Sequence, residues 1–375
     1  MTPRVLIDAT AIPADRGGVG RYVDALLPAL ARQDVALAVV CQERDAEATS
    51  DLVPAAEIVT APAALSGRAA RLAWEQSGLV ALVRRLRPDV LHSPHYTMPR
   101  FSSVPVVTTL HDATFFSHPQ LHSPVKARFF RAATRAAVRR SAAVVVPSRA
   151  TRDEVRRFAG GGEPLFHVAY HGVDGSVFHP TSAEEQARVR ASLGLGTAPY
   201  VAFLGTLEPR KNVPALIRGW VRASAGLSDP PRLVLAGGPG WDDAVGPAIE
   251  AVPDGLDVQR TGYLPLGDLA GLMSGAEVVA YPSLGEGFGL PVLEAMACGA
   301  AVLTSRELSL PEVGGEAVAY CGTDEQSIGD ALRQLLDDAA RREELAAAAV
   351  ARAQQFTWDA AASVHVAAYR QALRA

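Results

Sequence analysis

The pattern with the clearest chemistry pairs two carboxylates across a glycine-rich loop and the start of a helix. Glu286 and Glu294 stand eight positions apart, within the segment Pro-Ser-Leu-Gly-Glu-Gly-Phe-Gly-Leu-Pro-Val-Leu-Glu at 282–294. Pro291 suits the first turn of a helix, so the residues just before it lie where free backbone N–H groups attract an anion. Carboxylates accept hydrogen bonds from sugar or ribose hydroxyls, and both are expected to reach one ligand. The alternative is a loop glutamate and an exposed helical glutamate without a ligand.

A second loop presents two adjacent cations. Arg210 and Lys211 belong to the segment Gly-Thr-Leu-Glu-Pro-Arg-Lys-Asn at 205–212, between a predicted strand and a predicted helix. Two fixed positive charges neutralise a diphosphate and stabilise it as a leaving group. Paired basic residues are also common on ordinary surfaces, so this loop alone does not define a site.

Two weaker candidates lie in the first half of the chain. Gly17 and Gly18 follow the first predicted strand and open a helix, an arrangement that suits a phosphate, although a plain strand-to-helix turn is the alternative. Val23 stands where a dinucleotide fingerprint requires glycine or alanine, which disfavours a nicotinamide dehydrogenase. His111 follows the strand predicted at 104–110 and is expected to hydrogen-bond a bound sugar, unless it is a structural histidine.

Short β-branched runs alternate with longer helical patterns, which predicts two doubly wound α/β domains with parallel sheets. In such sheets ligands collect at the carboxyl ends of the strands, where the four candidate loops lie. The segment Ala169–Pro180 interrupts the alternation and predicts the linker. The predicted domains are 1–178 and 179–355, and a final amphipathic helix within 356–375 is expected to pack back toward the first domain. Residues 72–86 are predicted to form a single helix.

Composition excludes several classes of protein. The 375 residues carry a net charge of −4, with 21 basic and 16 acidic side chains in residues 1–180 and 15 and 24 in the remainder. No apolar run approaches the roughly 18 residues that span a bilayer, and no signal peptide is evident, so we expect a cytoplasmic protein. The three cysteines are far apart and predict neither zinc nor a redox pair. The charge and the lack of a known module disfavour sequence-specific nucleic-acid binding.

Together these motifs resemble the retaining glycosyltransferases of the GT-B fold, in particular the large family 4. The Glu-x7-Glu element from Glu286 to Glu294 is the most specific mark, and the likeness extends over nearly the whole chain. The resemblance implies two Rossmann-like domains facing a central cleft, with the acceptor bound chiefly by the first domain and the donor chiefly by the second. Many relatives carry arginine directly after the strand-ending glycine, where this chain has Thr206, so Arg210 is expected to supply that charge.

The resemblance also assigns roles to individual residues. Catalytic roles fall to His111 at the transferred sugar, Arg210 and Lys211 at the diphosphate, and Glu286 at the donor sugar hydroxyls. Donor binding falls to the following residues: Gly17, Gly18, Phe288, Gly289, Leu290 and Glu294. Glu294 is expected to bind the ribose.

The expected reaction keeps the anomeric configuration and needs no metal or other cofactor. No carboxylate stands out as a covalent nucleophile, so we expect front-face attack, in which the departing diphosphate helps to remove the acceptor proton. No DxD-like metal site is evident. The likeness to bacterial mannosyltransferases points to GDP-mannose as the nucleotide-sugar donor, with a glycan, lipid-linked or small-molecule acceptor.

Two alternative functions and one candidate membrane-contact surface are also considered. A glycosidase also uses two carboxylates, but it would not require the neighbouring cations. A non-catalytic nucleotide-sugar sensor would keep the donor pocket yet could dispense with His111 and the leaving-group cations. The segment from Lys126 to Arg140 carries six basic residues with Phe129 and Phe130, which suits peripheral contact with an anionic membrane. An ordinary surface helix is the alternative.

Overall fold

Thirteen short strands, rich in Val, Leu, Ile and Ala, form two parallel sheets in the computed structural model, which describes residues 2–14 and 16–374. The described chain divides into two units: one holds the residues up to Gly172 and those from Thr357 onward, and the other holds Val173–Phe356. The division after Gly172 lies within the predicted linker, six residues before the predicted boundary at 178. The returning segment begins at Thr357, where the sequence suggested 356.

The first unit contains a seven-stranded sheet in the order β3-β2-β1-β4-β5-β6-β7. The strands are β1 (Arg4–Asp8), β2 (Ala36–Cys41), β3 (Glu57–Thr60), β4 (Val90–Ser93), β5 (Val106–Thr109), β6 (Ala143–Val146) and β7 (Phe166–Val168). The helices between them are α1 (Gly17–Ala31), α2 (Ala46–Leu52), α3 (Arg68–Glu75), α4 (Gly78–Leu86), α5 (Thr114–Ser117), α6 (Pro124–Arg140) and α7 (Arg149–Ala159).

The second unit contains a six-stranded sheet in the order β10-β9-β8-β11-β12-β13. The strands are β8 (Tyr200–Leu204), β9 (Arg232–Ala236), β10 (Val258–Gly262), β11 (Val278–Tyr281), β12 (Val302–Ser305) and β13 (Ala319–Cys321). The helices are α8 (Ala183–Ser192), α9 (Val213–Ser224), α10 (Val245–Glu250), α11 (Leu266–Ser274), α12 (Leu290–Ala297), α13 (Leu310–Gly314), α14 (Glu325–Asp337) and α15 (Ala339–Ala353).

The last helix, α16 (Trp358–Ala372), belongs to the first unit. It packs with α1 on the sheet face that carries Val5 and Ile7. Successive strand residues point to opposite faces of a sheet, so Leu6 points to the other face, where α4 and α6 cover it. The amphipathic pattern of the chain end thus completes one side of the first sheet.

A buried polar contact joins α16 to α1. The Nδ1 of His365 lies 2.7 Å from the backbone carbonyl oxygen of Ala361, which can only accept, so this nitrogen carries the proton. Burial lowers the pKa of His365 to about 4, so the ring is neutral at pH 7 and its Nε2 accepts from the Tyr22 hydroxyl at 2.7 Å. The Tyr22 oxygen lies 3.0 Å from the hydroxyl of Thr109 at the end of β5.

The prediction of one helix over 72–86 is wrong, because the chain breaks between α3 and α4. The Ser77 hydroxyl donates to the carbonyl of Ala73 at 2.9 Å, in competition with the helical backbone bond. The Trp74 ring lies over the chain where α4 starts, and a Cβ on Gly78 would stand 2.2 Å from its Nε1. Among the described residues, no helix is both long and apolar enough to cross a membrane.

Candidate active site

The second unit brings two of the predicted loops to neighbouring strand ends. The strand order runs down from β10 to β8 and then jumps to β11, so the direction of winding reverses between β8 and β11. Ligands of doubly wound sheets bind at such a reversal, beyond the carboxyl ends of the strands. The basic pair follows β8 and the acidic loop follows β11, so both lie at this point of the sheet.

Backbone contacts fix the two loops to one another. The carbonyl oxygen of Arg210 accepts from the Leu284 N–H at 2.8 Å and lies 2.9 Å from the Ser283 hydroxyl oxygen. Asn212 adopts a left-handed conformation with φ 59° at the start of α9, and its side-chain amide donates to Pro282 at 3.2 Å and Thr323 at 2.7 Å. The cations are therefore held against the acidic loop by backbone geometry.

Arg210 and Lys211 converge on Glu286. The Lys211 ammonium lies 2.7 Å from Glu286 Oε1, and the Arg210 guanidinium pairs with Oε2 of the same carboxylate. The other end of the guanidinium donates to Glu208 at 2.6 Å. Two cations and two carboxylates thus form a cluster with no net charge, in which Lys211 and Glu286 are buried.

Two hydroxyls complete the coordination of the Glu286 carboxylate. Ser283 donates to its Oε1 at 2.8 Å and Tyr281 at 3.0 Å, while the Lys211 ammonium also contacts the Tyr281 hydroxyl. The Tyr281 ring stacks on Phe203, with ring centroids 5.7 Å apart. The carboxylate is therefore held in one orientation by its protein neighbours.

The charges in this cluster are strongly coupled. Burial alone would raise the pKa of Glu286, but the cationic side chains of Arg210 and Lys211 outweigh it and lower the pKa to about 2. Burial and the charge of Arg210 lower the pKa of Lys211, against the attraction of Glu286 and Glu208. Burial next to Glu286 raises the pKa of Tyr281 well above its usual range, so its hydroxyl stays protonated and can donate.

The acidic loop ends at the N-terminus of α12. Gly289 has φ +103°, and a Cβ there would lie 2.8 Å from Leu310, so the turn requires glycine. Phe288 is buried, and Leu290 starts the helix. The Ser309 hydroxyl lies 2.7 Å from the carbonyl oxygen of Glu286 and 2.8 Å from that of Phe288. These contacts hold the backbone of the acidic loop in place.

Glu294 lies on the second turn of α12 and is 3% exposed. A carboxylate is seldom buried so completely, which disfavours the exposed helical glutamate considered as an alternative. The loop and the helix thus carry both members of the Glu-x7-Glu element within the second unit.

The remaining predicted site residues lie in the first unit. Gly17 opens α1 with φ +52°, and Gly18 follows it. Tyr22, one turn further along α1, meets the ring of His111 edge-on at 4.9 Å. His111 Nε2 lies 2.7 Å from the carbonyl oxygen of Pro94 and therefore carries the proton. Burial lowers the pKa of His111, so the ring is neutral and its Nδ1 can accept a hydrogen bond from a hydroxyl.

Sequence reasoning gave no role to four residues of this arrangement: Glu208, Tyr281, Ser283 and Ser309. Glu208 and Ser283 stood inside the motifs, and their proximity to the charged residues was the available signal. Tyr281 ends a buried strand and resembles a core residue. Ser309 follows β12 and comes near the loop only through the fold.

Two family models match the chain. The model of Glycosyltransferase Family 4 covers residues 16–176, and that of Glycosyl transferases group 1 covers residues 185–352. The chain is 30% identical over 290 residues to the O-antigen chain mannosyltransferase B of Escherichia coli, covering 77% of this chain and 76% of that protein. It is also 30% identical over 311 residues to a D-inositol 3-phosphate glycosyltransferase of Jonesia denitrificans, covering 76% and 72%.

Solved structures show the same fold. The crystal structure of Anabaena Alr3699/HepE in complex with UDP and glucose superposes with a TM-score of 0.75 at 21% identity, covering 97% of this chain and 98% of that one. The prediction of two Rossmann-like doubly wound domains of the GT-B class is confirmed. The chain belongs to the group 1 glycosyltransferases and is an enzyme of that class.

Proposed function

We propose that this glycosyltransferase is a retaining, metal-independent hexosyltransferase whose donor is a nucleotide diphosphate sugar, with GDP-mannose as the leading candidate. The observation that carries the proposal is the buried cluster in which Arg210 and Lys211 converge on Glu286 beside the N-terminus of α12. Fixed cations and helix N–H groups stabilise a departing diphosphate without reorganisation during the reaction. We assign to Arg210 and Lys211 the charge compensation that a divalent metal ion provides in metal-dependent enzymes.

In the proposed reaction the bond from the anomeric carbon to the diphosphate breaks, and an acceptor hydroxyl oxygen bonds to that carbon on the same face. The hydroxyl proton passes to the departing diphosphate, which Arg210 and Lys211 stabilise. Glu286 binds the sugar hydroxyls and Glu294 the ribose. These roles need no covalent intermediate and preserve the anomeric configuration.

The remaining assignments are made for each unit by itself. Within the second unit, Phe288, Gly289 and Leu290 line the approach to the α12 N-terminus. In the first unit, the backbone N–H groups at Gly17 and Gly18 bind a phosphate, and His111 accepts a hydrogen bond from a sugar hydroxyl through Nδ1. The neutral state of His111 supports this role because a neutral imidazole keeps one acceptor.

The likeness to a mannosyltransferase of O-antigen chains supports mannose as the transferred sugar and a glycan as the acceptor. The likeness to an inositol phosphate glycosyltransferase supports a small-molecule acceptor. A lipid-linked glycan is the third candidate, and with it we propose peripheral contact at the cytoplasmic face of a membrane. The alternative to catalysis is a sensor that binds the nucleotide sugar without turnover.

The first test is a thermal-shift panel of GDP-mannose, UDP-glucose, UDP-N-acetylglucosamine and ADP-glucose, since a ligand bound only by the folded state raises Tm. GDP-mannose is expected to stabilise the wild type, and Glu294→Ala is expected to lose that shift. Glu343→Ala on the exposed side of α15 is the matched control and should keep it. Stabilisation by another donor alone would replace the mannose assignment.

Donor hydrolysis with the best ligand then separates the enzyme from the sensor. Release of free sugar that stops in Lys211→Ala and persists in EDTA supports the proposal, whereas binding without release supports the sensor. The anomeric configuration of the product is read by NMR. Inversion would overturn front-face attack, and loss of activity in EDTA would overturn metal independence.

A further inference from the structure

A long stretch of the first unit carries positive charge without any negative charge. Residues 113–152 contain eight basic side chains and no Asp or Glu. The sequence of the first unit, residues 1–172 and 357–375, holds 23 basic and 16 acidic side chains, whereas residues 173–356 hold 13 and 24. The positive charge of the protein is therefore concentrated in one unit.

Helix α6 directs this charge outward. Its exposed residues Val125, Arg128, Ala132, Arg135 and Arg139 follow one another at intervals of three and four, which aligns them along one side of the helix. The opposite side is buried in the core of the unit, through residues such as Phe130 and Val138. A 17-residue helix is about 25 Å long, so the exposed stripe is an extended surface.

Neighbouring elements enlarge the stripe. Arg140 donates to the carbonyl of Arg100 at 3.1 Å, which brings the following residue, Phe101, near the end of α6. Arg84 and Arg85 are exposed on α4, which covers the same face of the sheet. We name as the basic face the exposed side chains Arg84, Arg85, Phe101, Val125, Arg128, Arg135, Arg139, Arg140 and Arg100.

The charge of the basic face is not compensated by the protein itself. None of its seven arginines forms an ion pair with the residues that the structure describes. Elsewhere in the same unit, Arg32 pairs with Asp359 at 2.6 Å and Arg370 with Asp34 at 3.4 Å. The difference indicates that the basic face is complementary to an external anion.

Two large apolar side chains lie among these arginines. Phe101 is 78% exposed and Val125 is 82% exposed, near opposite ends of α6. A soluble acidic polysaccharide would satisfy the arginines but would leave both apolar side chains in water. An anionic bilayer satisfies both, because its headgroups attract arginine and its interface accepts apolar side chains.

We propose that the basic face docks the enzyme on a bilayer of anionic phospholipid. This inference rests on the proposed peripheral contact with a membrane and names the surface that makes it. Docking would hold the first unit beside a lipid-linked acceptor and raise the acceptor concentration near the enzyme.

The test is flotation of the full chain with vesicles of phosphatidylcholine alone or mixed with phosphatidylglycerol. We expect binding only to the mixed vesicles and release at high salt. Arg128→Gln with Arg139→Gln should lower the partition coefficient about tenfold or more, since each basic residue near the surface contributes several-fold. Phe101→Ser should lower it further without changing the charge.

The matched control is Arg32→Gln with Arg370→Gln, which removes the same charge from the other face of the sheet and should reduce binding much less. Equal losses in the two double variants, or no binding to mixed vesicles, would overturn the docking surface. Competition by a soluble acidic polysaccharide, with no effect of Phe101→Ser, would replace the bilayer with a polyanion. Donor hydrolysis without vesicles should be unchanged in every variant, so docking and catalysis fail separately.

Discussion

Glu208 shares the Arg210 guanidinium with Glu286. If Arg210 binds the diphosphate as proposed, Glu208 is a competing anion, and Glu208→Gln removes its charge while keeping the side-chain shape. We expect GDP to bind the variant about three- to tenfold more tightly, because a like charge beside a bound anion opposes binding. Isothermal titration calorimetry of GDP measures the change.

Glu343→Gln is the control for the loss of one negative charge, since Glu343 is exposed on α15, and it should leave GDP affinity unchanged. A kcat that falls while GDP binds more tightly would indicate that product release limits turnover. Weaker GDP binding in Glu208→Gln would contradict the competition and would make Glu208 an orienting residue for Arg210.

Residue types and spacing predicted the principal members of this site. Arg210, Lys211 and Glu286 were selected because fixed cations can neutralise a diphosphate and a carboxylate can bind sugar hydroxyls at strand-end loops. Their mutual pairing was not predictable, since it depends on the loops after β8 and β11 meeting at the reversal of the sheet. Tyr281 was missed for the same reason. It lies at the end of a buried strand like a core residue, and its hydroxyl contacts Lys211 only through the fold.

Helices α9 and α14 approach closely at glycines in the second unit. A Cβ on Gly219 would stand 2.7 Å from Cγ2 of Ile328 and 3.1 Å from the backbone oxygen of Glu325. Gly219→Ala should therefore destabilise the protein by about 1–3 kcal/mol, because overpacking outweighs the better helix propensity of alanine. Urea denaturation gives the change in the free energy of unfolding.

Gly246→Ala provides the opposite expectation in the same unit. Gly246 lies in α10 with nothing within 4 Å of a built Cβ, so alanine should be neutral or stabilise by up to about 1 kcal/mol. If Gly219→Ala also stabilised the protein, the contact between α9 and α14 would tolerate an added methyl group, which would contradict overpacking at this position.

Element prediction succeeded for the buried strands and failed at three sheet edges and at one helix break. The alternation of strands and helices indicated both sheets, but β3, β7 and β13 were missed, because these short edge strands are only partly buried and carry a weak apolar signal. The division between α3 and α4 depends on the Ser77 side chain and on Trp74 covering Gly78. The hydrophobic periodicity of the sequence does not reveal such local side-chain interactions, so it did not predict the helix break.

The two units differ sharply in their number of histidines. Eight of the nine lie in residues 1–172 and 357–375, and only His179 lies in 173–356. Burial lowers the pKa of His92 and His171 well below the usual range, and Tyr369 bonds His92 at 2.9 Å. The folded first unit therefore holds these rings, with His365, in the neutral form at neutral and mildly acidic pH.

The unfolded chain binds protons at these histidines as pH falls below about 6.5, whereas the folded unit does not. The stability that they contribute is complete above that pH and decreases toward acid, by roughly 1 kcal/mol for each ring at pH 5.5. Burial raises the pKa of Asp8 and Glu75, which opposes the loss in part. We expect the first unit to lose stability before the second on acidification.

Hydrogen exchange followed by mass spectrometry at pH 7.5 and 5.5 checks this, after correction for intrinsic exchange. Peptides from β4, β5 and α16 should lose more protection than peptides from β8 and β11. Equal losses in both units would show that the buried histidines do not control acid stability.

The sequence by itself determined the class of this protein, because hydrophobic periodicity and the Glu-x7-Glu element are local properties of the chain. It also identified the cations and the acidic loop. Only the tertiary structure decided that Arg210 and Lys211 neutralise Glu286, and that the arginines of α6 have no acidic partners among the described residues. Pairing, burial and pKa shifts are set by distances between residues far apart in sequence, and no local pattern contains those distances.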